Sequence, residues 1–311
     1  MDNNDLIKWL LAGDVSIQYQ VHRDLLAELR PELRQRIKSE GWGQQFLSKR
    51  LENGHWGARF YQPKWASTHY TLLDLKNLAI QPDVPEILET LNLILKEEKD
   101  ADGGINPHTG GTIASDVCVN GMFLNYAAYF QTAENDLKSV VDFLISQHMK
   151  DGGFNCQSNR GRGCTHSSVH STISVIEGIL EYQNNGYSYR LGELLDAAAA
   201  SREFILLHRL FKSHRTGAII DKKMTMLSWP SRWRYDILRA LDYFQNAGIK
   251  YDSRMDDAME ILLKKRTKTG EWPLQAKHPG QTHFEMEVAG GKSRWNTLRA
   301  LRVLKKFEIN G

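Results

Sequence analysis

Apolar residues recur at intervals of three and four in residues 85–96, 136–148, 193–210 and 255–265, with polar residues between them. That periodicity predicts amphipathic helices. Each leads into a turn built on glycine plus an aromatic or aliphatic residue. The turns read Asn53-Gly54-His55-Trp56, Asp102-Gly103-Gly104-Ile105, Asp151-Gly152-Gly153-Phe154, Arg215-Thr216-Gly217-Ala218 and Thr269-Gly270-Glu271-Trp272. The glycine is expected to act as the helix C-cap, where a positive φ carries no Cβ penalty. A loop of roughly ten to twenty residues follows, long for a connection. A second, more aromatic and apolar helix is then predicted over 65–79, 115–130, 167–182, 231–244 and 293–307, several of these starting at a serine N-cap. Residues 16–29 extend the series by one hairpin, and 5–11 supply a further outer helix.

A repeat of this length points to stacked helical hairpins. The expected fold is all-α, a single domain over residues 1–311 in which about six hairpins close into an α/α toroid with an inner and an outer ring of helices. The alternative is an open solenoid with a concave protein-binding face. Long loops on one side of the repeat, carrying His, Cys, Trp and Arg, favour closure with a functional mouth. His55, His69, Cys118, His166, His170, His214, Arg234 and His283 are expected to line it.

At 41% hydrophobic, 311 residues can bury a large core. A net charge of +3 with no long basic run gives no sign of a nucleic-acid partner. No stretch approaches ~20 uninterrupted apolar residues, so no transmembrane segment is expected. The N-terminus lacks the basic region and cleavage site of a signal peptide. The three cysteines, Cys118, Cys156 and Cys164, fit a reducing cytoplasm better than a disulfide framework.

The Asp-Gly-Gly-Phe turn, loop and inner helix resemble the repeat of squalene and other terpenoid cyclases and of protein prenyltransferase β-subunits, including short bacterial squalene-cyclase-like, prenyltransferase-repeat proteins. The resemblance covers most of the chain and implies an α/α toroid with a central cavity. Asp116-Val117-Cys118 is similar to the Asp-x-Cys zinc motif of prenyltransferase β-subunits, and His170 stands where that family completes its site. The resemblance therefore implies Asp116, Cys118 and His170 as zinc ligands, and carboxylate, thiolate and imidazole suit Zn²⁺ with one position left open. Read from the residues alone, Asp116 is also an ordinary helix-start acid, Cys118 a small core hydrophobe and His170 a hydrogen-bonded core residue. Cys156, Cys164 and His166 form a second possible set, since toroidal lanthionine cyclases hold zinc with two cysteines and a histidine.

The pattern departs from the proton-donating cyclases. Cys118 and Val119 stand where their motif carries carboxylates, and a thiol cannot serve as a strong protonating acid. Arg254-Met255-Asp256-Asp257 falls on an outer helix, where solvated charge is the ordinary explanation.

The expected activity is that of a transferase or cyclase acting on a small, largely apolar and isoprenoid-like ligand, zinc-assisted, with Cys118, His170, His69 and Asp116 catalytic. A non-catalytic lipid- or peptide-binding toroid is the alternative. Aromatic walls suit such a ligand, and Trp65, Tyr70, Trp233, Tyr235, Trp295 and His283 are its expected contacts. Arginine suits an anionic head group, so His214, Arg215, Arg232, Arg234 and Arg294 are candidates for a diphosphate patch. Each aromatic could equally serve packing, and the arginines could instead pair with Asp221, Asp236, Glu285 and Glu287.

Overall fold

The computed structural model describes residues 3–107, 113–156 and 164–309. Among them the chain is mostly helical, and its strands are the two-residue antiparallel pair Trp272–Pro273 and Lys292–Ser293. The chain divides into two compact units, one from Met1–Ser48, Asn77–Gln81 and Leu206–Gly311, the other from Lys49–Lys76 and Pro82–Ile205.

The glycine turns are one structure used repeatedly. In the second unit, Gly103 N–H donates to the Asp100 carbonyl (3.0 Å) and Asp100 N–H to the Gly104 carbonyl (2.9 Å). The same two bonds link Met149 with Gly152 and Gly153 (2.9 and 3.0 Å) and Leu51 with Gly54 and His55 (3.0 and 2.8 Å). In the first unit they recur at Thr267 with Gly270 and Glu271, and in a form one residue longer at Ser213 with Gly217 and Ala218. The central glycine takes φ of +84°, +88°, +93°, +70° and +97° in chain order. An L side chain is disfavoured there, which explains the glycine. It is not the C-cap, however. Helix Pro85–Glu97 is capped by Glu98 in the right-handed region, and Gly103 lies beyond it in a separate turn.

Four of the five turns are tied to the helix after them. Trp56, Ile105, Phe154 and Trp272 are buried, and their backbone N–H groups donate to Thr68 Oγ1 (3.0 Å), Asn120 Oδ1 (2.7 Å), Thr172 Oγ1 (3.0 Å) and Thr297 Oγ1 (3.0 Å). A buried amide without a partner costs about 1–3 kcal/mol. A short polar side chain near each helix start removes that cost and fixes the turn against the helix.

The second unit carries helices Thr68–Asn77, Pro85–Glu97, Val117–Tyr129, Glu134–Ser146, Val169–Asn184 and Leu191–Leu207. Helix Val117–Tyr129 packs unusually close to Val169–Asn184, because glycines stand where they meet. A Cβ on Gly178 would lie 2.3 Å from the Gly121 carbonyl oxygen, and one on Gly121 would lie 2.7 Å from Val175 Cα. Asn125 Nδ2 donates to the Glu177 carbonyl across the same contact (2.9 Å).

The expected serine caps of these two helices serve otherwise. Ser115 N–H and O–H donate to Asp102 (2.9 and 2.8 Å), and Ser167 N–H and O–H donate to Asp151. The aspartate of each turn thus anchors the loop end, and the helices begin one or two residues later, with Asp116 and Ser168 as N-caps.

In the first unit, residues 16–29 divide into helix Val15–Gln20 and a π-helical segment Val21–Leu26, ended by Ala27 at φ +55°. Pro31–Arg36 and Gly41–Leu47 form two short helices that no long periodic run announces. The segment 231–244 becomes helical only at Ile237, capped by Asp236. Helix Arg294–Lys306 joins the chain's beginning: Arg294 Nε donates to the Trp9 carbonyl (3.0 Å), Arg302 to Gln20 Oε1 (2.6 Å), and Lys305 to the Asp24 and Leu25 carbonyls.

Gly178→Ala should destabilise the chain by about 1–3 kcal/mol or more through overpacking. Gly192→Ala, in a helix with nothing within 4 Å of the added Cβ, should be neutral or stabilise by up to about 1 kcal/mol. Urea unfolding of both variants measures this, and equal effects would refute the close-contact account.

Candidate functional site

The two helices that meet at Gly121 and Gly178 begin beside one another, and two cysteines, Cys118 and Cys156, come together near their N-termini. Cys118 occupies the second position of helix Val117–Tyr129. Its backbone N–H donates to Cys156 Sγ at 3.1 Å. Ser171, in the first turn of helix Val169–Asn184, donates its hydroxyl to the same sulfur at 3.3 Å, while Cys156 N–H donates to Ser171 Oγ (3.2 Å). The Cys118 side chain neighbours Cys156 and acts on its charge. The two donors, the Cys118 amide and the Ser171 hydroxyl, favour negative charge on one sulfur, and so does the helix N-terminus.

The two cysteines are thereby differentiated. The hydrogen bond from Cys118, aided by Ser171 and the Cys118 amide, holds the Cys156 thiol below its ordinary value against the opposing effect of burial. Donation to Cys156, then burial and the negative charge of Cys156 and Asp116, push the Cys118 thiol well up. Negative charge is thus favoured on Cys156 and disfavoured on Cys118. Both remain free and partly exposed.

Asp116 stands at the helix N-cap, as its position after Ser115 allows, and its charge acts on Cys118, Cys156 and Tyr61. Burial, with the neighbouring Cys118, Asp116 and Cys156 adding to it, pushes the Tyr61 phenol up, opposed by its hydrogen bond with Tyr70. The two hydroxyls are 3.0 Å apart. Tyr61 and Tyr70 lead to a buried aromatic group: Tyr70 meets Trp65 edge-on at 4.8 Å, and His69 lies 5.4 Å from Tyr61, 5.3 Å from Phe60 and 5.6 Å from Tyr126. His69 Nδ1 is 3.1 Å from the Tyr126 hydroxyl. Its Nε2 is buried without a hydrogen-bond partner among the described residues.

The remaining sequence candidates of this unit divide. His170 sits in the first helical turn beside Ser171, half-exposed, with its carbonyl accepting from Ser174. His55 is buried between Thr68 Oγ1 (3.0 Å) and Glu97 (3.3 Å), an arrangement that secures the first turn. Cys164 and His166 form a local knot with Asn155, whose amide donates to Cys164 Sγ and to the His166 carbonyl. The middle of the loop over 155–166, residues 157–163, lies outside the described residues. Cys118 and Cys156 are two donors of the kind zinc takes. Among the described residues no group of three His, Cys, Asp or Glu side chains is placed to hold a metal ion.

The first unit holds the other candidates. Trp295 is buried, stacked on Trp229 at 4.6 Å and on Trp42 at 6.1 Å, with the Arg299 guanidinium 5.2 Å from the Trp229 ring. Arg234 lies over Trp233 (4.7 Å), and the Arg232 and Arg234 carbonyls both accept from Arg239. Tyr235 is buried. His214 and Arg215 are exposed, with His214 against His208, and His283 packs edge-on to Phe46. The acids of this unit make the following bonds. Asp221 takes the Lys223 amide, Asp236 takes Ser228 and the Arg239 amide, and Glu285 takes Lys277. Glu287 accepts from the Ser293 hydroxyl and from the Arg294 and Trp295 amides. Asp257, in the segment that resembles a cyclase motif, pairs with Arg209 and Lys212 as an outer-helix acid would.

Three contributors escaped the sequence reading: Cys156 as the partner of Cys118, Ser171 as its hydroxyl donor and Tyr126 as the partner of His69. The available signal was positional. Cys156 follows the buried Phe154 by two residues, and Ser171 immediately follows His170. Comparison with protein-family models and with curated proteins finds no match for the chain. No helix among the described residues is long and apolar enough to cross a membrane.

Burial pushes the His69 imidazole down to about 3 from an ordinary 6.5. Below 6.5 the unfolded chain binds a proton there that the folded chain refuses, so stability falls as pH falls, by about 3 kcal/mol at about pH 4. His69→Gln should lose less stability than the unsubstituted chain over that interval in urea titrations. Parallel losses would show that another group governs acid unfolding.

Proposed function

We propose that this chain is an enzyme acting on a small, largely apolar, isoprenoid-like ligand, with Cys156 and Cys118 as its reactive centre. The observation that carries the reading is the convergence of the Cys118 amide and the Ser171 hydroxyl on Cys156 Sγ. A purely structural cysteine needs no such set of donors. In this reading Cys156 supplies a thiolate, Cys118 holds the proton that can return to it, and Asp116 restrains the charge of the pair. Trp65, Tyr61 and Tyr70 offer an apolar ligand dispersion contacts and a cationic centre the faces of their rings.

The fold proposed with it is an α/α toroid of about six hairpins. The repeated turn supports hairpins of one kind, and the bonds from Arg294, Arg302 and Lys305 to the N-terminal segment support a chain whose last hairpin meets its first. An open stack would leave those ends apart. A second reading keeps the zinc of the Asp-x-Cys resemblance on Cys118, with Cys156 as a nearby second sulfur, and rests on the 3.1 Å approach of Cys156 Sγ to the Cys118 amide. Zinc there would supply a Lewis acid and an activated thiolate.

The test uses the full chain with farnesol and farnesyl diphosphate as probes, following tryptophan quenching for binding and product formation for turnover. Binding by the unsubstituted chain, with Cys156→Ser retaining binding and losing at least about 100-fold in turnover, is the expected result. Metal analysis of untagged protein separates the two readings: one zinc per chain, lost in Cys118→Ser, assigns Cys118 as a ligand. Failure of both probes to bind, or full activity in Cys156→Ser, would sink the enzyme reading.

A further inference from the structure

The nearness of two free cysteines has a chemical consequence that needs no organic ligand. Cys118 lies on a helix and Cys156 in the loop after the Phe154 turn, far apart in sequence. Cys156 Sγ is nevertheless held 3.1 Å from the Cys118 amide nitrogen, beside the Cys118 side chain. That nearness puts a sulfur–sulfur bond of about 2.05 Å within reach of rotation about the two side chains. The third cysteine, Cys164, stands apart from this geometry: its thiol donates to the His166 carbonyl and accepts from Asn155.

We infer that Cys156 is an oxidation site for small hydroperoxides and that Cys118 is its resolving thiol, the pair closing to an intramolecular disulfide. Cys156 is the attacking member because the Cys118 amide and the Ser171 hydroxyl both donate to its sulfur. In the first step the Cys156 thiolate attacks one oxygen of hydrogen peroxide and the O–O bond breaks. The departing hydroxide takes up a proton as water, and sulfur is oxidised by two electrons to the sulfenic acid. In the second step Cys118 sulfur attacks Cys156 sulfur and the S–OH bond breaks. The hydroxide leaves with the Cys118 proton as a second water, and the disulfide remains. Each turnover consumes one peroxide and leaves two water molecules.

Both cysteines are half-buried residues, and hydrogen peroxide is among the smallest molecules that could reach them. Ser171 has a stated part, since its hydroxyl is one of the donors to Cys156 and its removal should slow the first step. The inference does not depend on an isoprenoid ligand. Oxidation of the pair would nevertheless silence a thiolate centre used in the activity proposed above.

The full chain is to be dialysed against a chelator, treated with hydrogen peroxide at low molar excess, alkylated and digested for mass spectrometry. The expected product is a peptide cross-linked through Cys118 and Cys156, lighter by two hydrogens, with Cys164 alkylated. Cys164→Ser, at a half-buried loop position, should give the same cross-link. Cys118→Ser should instead retain a sulfenic acid on Cys156 that a cyclic 1,3-diketone traps, and Ser171→Ala should form the cross-link several-fold more slowly. A cross-link through Cys164, alkylation of all three thiols after treatment, or sulfinic acid on Cys156 beside an unmodified Cys118 would overturn the inference. None of these outcomes reads isoprenoid binding, so failure here and failure of the proposed activity are distinguishable.

Discussion

The close approach of helices Val117–Tyr129 and Val169–Asn184 is the contact on which the candidate site depends. Glycines at 121 and 178 remove the side chains that would otherwise hold the backbones apart, and a Cβ at either would strike the opposing helix within 2.8 Å. Axis separation in ordinary packing is about 8–10 Å, set by the side chains at the contact. Small residues bring the helix starts close enough for the amide of Cys118 and the hydroxyl of Ser171 to reach one sulfur from two different helices.

A second constraint delivers Cys156 to that place. The Asp151-Gly152-Gly153-Phe154 turn is clamped at both ends, by Phe154 N–H on Thr172 and by Ser167 on Asp151. A Cβ on Gly153 would lie 2.7 Å from both Ser167 and Thr172, so the turn sits against the helix start with no room for a larger residue. Cys156 leaves this clamp only two residues later and has little freedom in where its sulfur falls. The homologous clamp at Asp102, Ile105, Ser115 and Asn120 delivers Asp116 and Cys118 in the same manner. Repetition of one turn therefore sets a residue after the third turn against a residue after the second.

The surrounding polar groups show how the interior is kept in order. His69 stays neutral because burial outweighs its one hydroxyl partner. Glu271, fully buried just before the strand Trp272–Pro273, is held ionised at about 2: burial works against it, but Lys292, Thr269 and Thr267 together prevail. The contrast follows from counting donors, since a buried charge persists only where several hydrogen bonds replace its water.

Much of this was legible in the chain. The recurrence of glycine plus a large apolar residue announced the turn, because only glycine accepts the positive φ and only a buried side chain needs to be large and apolar. The helix periodicity located most helices to within a few residues, and Asp116 and Cys118 were correctly set at a helix start. The short helices Pro31–Arg36 and Gly41–Leu47 were not visible, being too brief to show a period. The glycine was misplaced as a cap, since sequence spacing does not distinguish a helix end from a turn shortly beyond it. What the sequence by itself determined was the repeated unit, for that rests on local backbone preference and on the period of burial. Which residue faces Cys118 was decided only by tertiary structure. Cys156, Cys164 and His170 were all chemically suitable, and the choice among them depends on how two helices pack across their glycines, a long-range contact that no local pattern encodes.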